Sequence, residues 1–177
     1  MQALMLTFTI ICVHKAQVYD SISFTAAITN TAPTASTSLV WHFDFGDGNT
    51  TDSPGPQAGH VFTEPGQYTV TVTLETGDKD PPQGTTTILI TDQVLIPSAT
   101  YSESSHEFEV VATSSSQTGF GRPHMIVFLD QNKYPSGRMR FKKAREQYVL
   151  HLLLLQPPSS VRVVSSLQGE AEAPLDN

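Results

Sequence analysis

WHFDFGDG, at residues 41–48, is the stretch of sequence that decides the fold of this chain. Its aromatic residues Trp41, Phe43 and Phe45 recur at every second position, and this period of two places them on one buried face of a β-strand. The strand should end at Gly46-Asp47-Gly48, because glycine accepts the positive φ angles of tight turns and Asp-Gly is a strong turn signal. We therefore predict a half-buried strand followed by a chain reversal.

Alternating segments on both sides of this strand predict more strands of the same kind. In YTVTVTL at 68–74 the apolar residues should face inward and the threonines outward, and ISFTAAI at 22–28 shows a similar alternation. Shorter strands are expected at 6–13, 59–62 and 86–90. Short strands separated by turn signals at this spacing indicate an all-β fold, an antiparallel sandwich.

These motifs resemble those of the PKD family, named after polycystic kidney disease proteins. That family combines an aromatic strand ending in Phe-Gly-Asp-Gly, a His-x-aromatic strand and a Gly-x-Tyr-x-Val-x-Val strand, and all three occur in order within residues 15–92. Trp41 stands at the usual Tyr position and Phe43 at the usual Trp position, and a long loop separates Gly48 from His60. The resemblance implies an Ig-like sandwich. Its motif residues are Trp41, Phe43, Phe45, Gly46, Asp47, Gly48, His60, Gly66, Tyr68, Val70 and Val72.

The second half of the chain carries no comparable motif, but its apolar segments predict further strands. These segments lie at 107–112, 125–129, 148–155 and 161–164. The predicted organisation is therefore a first strand or weak signal-like segment at 1–14, a PKD-like domain at 15–92, a smaller and mostly β segment at 93–168 whose autonomy stays open, and a disordered tail at 169–177.

One segment of the second half fits a helix as well as a strand. Within residues 141–155, Ala144, Tyr148, Leu152 and Leu155 recur at helical spacing. Charged residues fill the positions between them, as on an amphipathic helix. Helix and strand are therefore equal alternatives at this point.

The charge of the chain is divided unevenly between its two halves. Residues 1–92 contain two basic and nine acidic residues, a net charge of −7, whereas residues 93–177 contain eight of each. An acidic surface repels phosphates, so we expect no nucleic-acid partner for the first half.

The most concentrated charge lies in the second half. Six cations occur within thirteen residues with no acidic residue between them: Lys133, Arg138, Arg140, Lys142, Lys143 and Arg145. Such a basic patch suits sulfated glycans, acidic lipid headgroups or an acidic protein domain. The favoured alternative is an ordinary solvated loop and strand face.

Polar residues around the first turn are weak candidates for a metal site. Asp44, Asp47 and Asp52 offer oxygen ligands of the kind that Ca²⁺ prefers, but their spacing does not match an EF-hand. We favour the alternative in which Asp47 bonds the backbone of its own turn and Asp44 faces solvent. His60 has no second histidine at metal-ligand spacing, so a hydrogen-bonded strand histidine beside the turn is favoured.

The remaining motifs concern chemistry and cellular location. No catalytic or cofactor-binding motif is found, so we expect neither enzyme activity nor a cofactor. Asn49-Thr50-Thr51 is an N-glycosylation sequon. Cys12, the only cysteine, is expected to be a buried small hydrophobic residue. The apolar run at 4–13 has the character of a signal peptide core, but no basic residue precedes it, and a first strand is favoured.

The resemblance implies a noncatalytic extracellular module for interaction or adhesion, part of a cell-surface or secreted glycoprotein of the polycystin type. Its partners would be protein or glycan ligands, and membrane attachment would come only from an anchor elsewhere in a parent chain. The alternative is an accessory domain of a secreted protease or polysaccharide hydrolase. An exposed aromatic strip at Trp41 and Tyr68 would favour that alternative. A third possibility is an intracellular interaction protein that uses the basic patch.

Overall fold

The computed structural model describes residues 7–29, 40–76, 79–116 and 122–175, which form sixteen β-strands and no helix. The predicted all-β fold class is confirmed. Within these ranges, nothing helical has the length and apolarity needed to cross a membrane. The strands belong to two compact units, Met1–Ile90 and Thr91–Asn177.

The first unit is an antiparallel sandwich of two sheets. Its strands are β1 (Thr7–Ile11), β2 (Lys15–Gln17), β3 (Ser21–Thr29), β4 (Val40–Asp44), β5 (Thr50–Ser53), β6 (Gln57–Val61), β7 (Gly66–Glu75) and β8 (Gln83–Thr91). One sheet has the order β1-β3-β6 and the other the order β2-β8-β7-β4-β5. The predicted first strand is present as Thr7–Ile11, whereas residues 1–6 lie outside the part of the chain that the structure describes.

The inward-facing side chains of these alternating strands fill the space between the two sheets. Phe24 from β3, Phe43 from β4 and Val72 from β7 are fully buried. Phe45, which follows β4, lies with its ring centroid 5.5 Å from that of Phe24. Each large apolar side chain buried in this way contributes about 1.5–3 kcal/mol to stability. The aromatic stretch therefore holds the two sheets together.

The second unit is also a two-sheet sandwich. Its strands are β9 (Val94–Ser102), β10 (Glu107–Ser114), β11 (Met125–Leu129), β12 (Gly137–Arg138), β13 (Arg140–Lys142), β14 (Gln147–Leu153), β15 (Ser160–Ser165) and β16 (Glu170–Pro174). The sheet orders are β13-β14-β10-β9 and β12-β11-β15-β16. Lettered in chain order, with β13 as strand D, these are the ABED and CFG sheets of an immunoglobulin constant-type sandwich, extended by the short β12.

The helical alternative for residues 141–155 is wrong, because this segment forms β13 and β14. Tyr148, Leu150 and Leu152 of β14 pack against the core of the second unit, while His151 and Leu153 between them are exposed. This is a period of two, and β14 pairs with β10 along its length. Tertiary pairing therefore decides a segment whose local pattern fits both structures.

The predicted disorder of residues 169–177 is wrong for most of that tail. Glu170–Pro174 forms β16, which pairs with β15 in antiparallel register. Ala171 and Ala173 lie against the core, whereas Glu170 and Glu172 are exposed. Two small alanines give a weak apolar signal, although their alternation with glutamate follows the period of a strand. Residues 176–177 lie outside the described residues.

Candidate functional site

The turn after β4 is held by its own side chains. Gly46 has a φ of 76° and Gly48 a φ of 90°, values that favour glycine. A Cβ at Gly46 would also collide with the backbone carbonyl oxygen of Thr69. The Asp44 carboxylate accepts a hydrogen bond from the Gly46 N–H at 2.9 Å, and the Asp47 carboxylate accepts one from the Asn49 N–H at 3.0 Å. Both carboxylates therefore serve the turn.

His60 joins this turn to the aromatic core. Its Nε2 lies 2.7 Å from Oδ2 of Asp47, and each of the two side chains is only 13% exposed. The imidazole stacks on the ring of Phe45 with centroids 4.0 Å apart, and its other neighbour is the edge-on ring of Phe62 at 4.6 Å. Phe62 in turn stacks on Tyr68 at 4.5 Å. Residues from all three sequence motifs thus meet in one continuous series of ring contacts.

The environment of Asp47 keeps its carboxyl group ionised. Burial raises the pKa of Asp47, but the hydrogen bonds from His60 and from the backbone and side chain of Asn49 outweigh it and hold the pKa below its ordinary value. Both oxygens of the Asp47 carboxylate thus contact structural partners. The pair has the arrangement of a fold-stabilising contact.

The three weak calcium candidates do not converge on one point. Asp44 and Asp47 bond their own turn, and Asp52 lies with Oδ1 2.6 Å from Nδ1 of His42 on the exposed side of β4 and β5. In the described part of the chain, no group of three or more His, Cys, Asp or Glu side chains is placed to hold a metal ion. These carboxylates therefore have partners other than a cation.

Asn49 occupies an exposed position at the end of the turn. Its side-chain Nδ2 donates to Oδ2 of Asp47 at 3.1 Å, and Thr51 of the same sequon lies exposed on β5. β5 is an edge strand of its sheet. The sequon therefore lies on an open edge of the first unit.

Cys12 is half-buried against the core of the first unit. Burial raises the pKa of its thiol, and a hydrogen bond with Thr86 opposes that effect only in part. A thiol with a raised pKa is a poor nucleophile. Cys12 therefore contributes to packing.

The six predicted cations all lie exposed along one edge of the second unit. Arg138 belongs to β12, and Arg140 and Lys142 belong to β13. Lys143 and Arg145 occupy the turn before β14, and Lys133 lies in the loop after β11. We call this set of six residues the cationic edge.

Apolar neighbours fix the backbone of the cationic edge. Met139 is buried between Arg138 and Arg140, and its N–H donates to the carbonyl oxygen of Met125 at 2.9 Å. Phe141 is half-buried, with its ring centroid 4.9 Å from that of Tyr148. Because the intervening side chains turn inward, those of the cations turn outward.

Two residues that sequence reasoning does not single out adjoin the cationic edge. The guanidinium of Arg122 lies 4.4 Å above the centroid of the Phe141 ring, a cation–π contact. The guanidinium of Arg138 contacts Nδ1 of His124. Arg122 and His124 both lie before β11 and reach the edge only through tertiary folding, so nothing in their local sequence signals the association.

A buried polar cluster in the second unit also escapes sequence reasoning. Asp92 is completely buried, and its carboxylate accepts hydrogen bonds from the Ser114 hydroxyl at 2.6 Å and from the Gly169 N–H at 3.0 Å. A Cβ at Gly169 would collide with the backbone carbonyl oxygen of Asp92. We call these three residues the Asp92 clasp. Ser114 and Gly169 lie 22 and 77 positions from Asp92 in the sequence, too far apart for any local motif.

The sheet topologies define the class of protein, which is that of modular Ig-like β-sandwich domains. A solved segment of two fibronectin type III domains from chicken tenascin has 10% sequence identity and a TM-score of 0.50, with 96% of this chain and 98% of that chain covered. At this identity the likeness shows the fold alone.

Two other solved structures show weaker likeness. Fibronectin(III)-like modules of Clostridium thermocellum CbhA have 13% identity and a TM-score of 0.36, with 94% of this chain and 90% of that chain covered. Carbohydrate-binding modules of the β-sandwich superfamily have 14% identity and a TM-score of 0.42, and the alignment spans 90% of this chain and 53% of theirs. No curated protein matches the chain.

The first unit also matches a known family of domains. Residues 10–91 match the model of the family described as the PKD domain. This match confirms the predicted resemblance of that part of the chain to PKD domains, which are generally noncatalytic modules.

Proposed function

We propose that this chain is a noncatalytic interaction module of an extracellular protein, secreted or on the cell surface, that contacts protein or glycan ligands. The observation that supports this proposal is that two sets of His, Asp and Ser groups able to do chemistry are largely buried and bonded to structural partners. The His60–Asp47 pair and the Asp92 clasp are enclosed by their sandwiches and satisfied by structural partners. Functional contact is thereby left to the exposed loops and edges, as is usual for such scaffolds.

The exposed sequon at Asn49 supports the extracellular part of the proposal, because N-glycans are added in the secretory pathway. The test is fractionation of cells that produce the natural protein, followed by mass spectrometry of the Asn49 peptide before and after treatment with an N-glycosidase. We expect the protein in the medium or on the cell surface, with a glycan on Asn49. A protein confined to the cytosol would contradict the proposal and would favour the intracellular alternative.

The interaction itself is tested by a binding screen. The intact chain is immobilised and exposed to candidate ectodomains and to neutral and sulfated glycans. We expect saturable binding of at least one ligand. The control variant His42→Ala, which removes an exposed ion pair, should bind that ligand equally well. Absence of binding across both ligand classes would contradict the proposed function.

The accessory-domain alternative depends on exposed aromatic residues, and the two candidates do not form such a strip. Trp41 is only 8% exposed and packs against Phe8 with ring centroids 5.9 Å apart. Tyr68 is half-buried in the ring stack, and its hydroxyl donates to the carbonyl oxygen of Glu64 at 2.9 Å. We therefore expect no retention of the chain on insoluble polysaccharide.

A further inference from the structure

We propose that the cationic edge of the second unit binds linear sulfated polysaccharides. This inference rests on the proposed function and names one ligand class for it. The binding residues would be Arg138, Arg140 and Lys142 at the centre, with Lys133, Lys143 and Arg145 at the ends.

The spacing of the central cations suits a linear polyanion. Arg138, Arg140 and Lys142 occupy every second position of an extended segment, so neighbouring cations lie about 6–7 Å apart along the backbone. The three together span roughly 13 Å. A polymer that carries sulfate groups at regular intervals can therefore meet several of them in one pose.

The position of the segment leaves it open on one side. β12 is the outer strand of one sheet and β13 the outer strand of the other, so the chain passes between the sheets at Met139. No further strand covers this edge among the residues that the structure describes. The cations thus lie on a rigid scaffold and remain accessible to solvent, a combination that lowers the entropic cost of binding.

The charges of the cationic edge are not neutralised from within. Across the described ranges, none of its six cations forms an ion pair with a carboxylate, whereas Arg162 of the same unit pairs with Glu170 at 3.5 Å. Like charges held side by side repel one another. Binding of a polyanion relieves this repulsion and releases the counterions of both partners.

The chemistry of the edge favours a sulfated polysaccharide over a lipid surface or a nucleic acid. The guanidinium of arginine can bind two oxygens of a sulfate group, as it binds those of a carboxylate or phosphate, through two parallel hydrogen bonds. Insertion into a lipid surface would use apolar side chains, but Met139 and Phe141 point to the core. The ring of Phe141 is also covered by Arg122 and Tyr148, so it offers no platform for a nucleic-acid base. Tyr134, 78% exposed beside Lys133, presents a ring on which a sugar can pack.

The test measures the affinity of the full chain for a size-defined heparin oligosaccharide by isothermal titration calorimetry. The edge variant is Arg138→Ala with Arg140→Ala. The matched control, Lys15→Ala with Lys79→Ala, removes the same amount of positive charge from exposed sites of the first unit. We expect the edge variant to bind about tenfold more weakly, because it loses two of the three central ionic contacts, and the control to bind like the parent.

A second variant and two further ligands make the result decisive. Lys142→Ala with Lys143→Ala should also weaken binding. Because this variant changes other residues of the cationic edge, its loss of affinity would not depend on a folding defect in the arginine variant. Thermal melts of all variants show whether each one is folded. The same oligosaccharide after desulfation keeps its carboxylates and should bind far more weakly. Vesicles of phosphatidylcholine and phosphatidylserine test the lipid alternative.

Three results would overturn the inference: equal binding of the desulfated sugar, equal loss in the control variant, or preferential binding of the vesicles through the same arginines. Failure of heparin to bind while an ectodomain binds would overturn this inference and leave the proposed function standing. Failure of every ligand would overturn both.

Discussion

At the scale of single residues, the most informative contact is the one between His60 and Asp47. The sequence places the two residues thirteen positions apart, and folding brings them to 2.7 Å inside a stack of aromatic rings. A second histidine–aspartate pair, His42 with Asp52, has a similar distance of 2.6 Å but lies on the exposed surface. The two pairs therefore compare the same chemistry in two environments.

Replacing His60 with alanine should destabilise the first unit by about 2 kcal/mol or more, because the change removes a stacked ring and leaves a largely buried carboxylate without its partner. His42→Ala should cost less than about 1 kcal/mol, since water screens the exposed pair. Urea denaturation of the two variants gives both values. Equal losses would contradict the structural role assigned to His60.

The pKa of Asp47 makes a prediction about acid stability. Because its pKa in the folded state lies below the ordinary value of 3.8, the ionised carboxylate stabilises the fold. This contribution is complete above the ordinary value and is lost as the pH falls through the lower pKa of the folded state. Urea midpoints of the first unit should therefore fall in acid, and Asp47→Asn should flatten that fall. A variant with the same acid dependence as the parent would refute the assignment.

At the scale of elements, the Asp92 clasp ties the start of β9 to the hairpin of β15 and β16. Gly169 lies in that hairpin, and a side chain there would strike the backbone of Asp92. Gly55 lies in the loop between β5 and β6. A Cβ added there would have no neighbouring atom within 4 Å, and the φ angle of Gly55 is not positive. The two glycines are thus a matched pair of crowded and open sites.

Gly169→Ala should destabilise the second unit by about 2 kcal/mol or more, because the new methyl group displaces a buried and hydrogen-bonded carboxylate. Gly55→Ala should change stability by less than about 0.5 kcal/mol, as expected at an unconstrained surface site. Thermal unfolding of both variants measures the difference. Tolerance of alanine at residue 169 would show that the clasp is not needed.

Some of these elements can be predicted from the sequence, and others cannot. Strands such as β7 are predictable because apolar and polar residues alternate over their whole length, and the turn after β4 is predictable because its two glycines flank an aspartate. β16 escapes prediction because alanine gives little apolar contrast, and the segment of β14 is ambiguous because its pattern fits two periods. The Asp92 clasp and the position of Arg122 depend on contacts between distant residues, which no local pattern reveals.

At the scale of the whole molecule, the chain consists of two units with separate hydrophobic cores. All members of the first core lie between Phe8 and Ile90, and all members of the second lie between Val94 and Leu175. The acidic excess of the chain belongs to its first half, whereas the cationic edge belongs to the second unit. Each unit is therefore stabilised by its own core, and the two halves of the chain differ in net charge.

A chain that ends at Asp92 should fold by itself, because it contains every strand and every core residue of the first unit. We expect a single cooperative thermal transition and a loss of that transition on adding Trp41→Ala, which removes a large buried side chain. A truncated chain that melts without cooperativity would contradict the separation of the cores.

We infer that the residues of the PKD motif build the fold, while the cationic edge makes the contact with the ligand. The most direct test is the dissociation constant for the heparin oligosaccharide, measured for His60→Ala at a temperature at which this variant is fully folded. We expect His60→Ala to bind with the affinity of the parent chain, whereas the variant Arg138→Ala with Arg140→Ala should bind approximately tenfold more weakly. A loss of affinity in His60→Ala as large as that of the edge variant would contradict this inference.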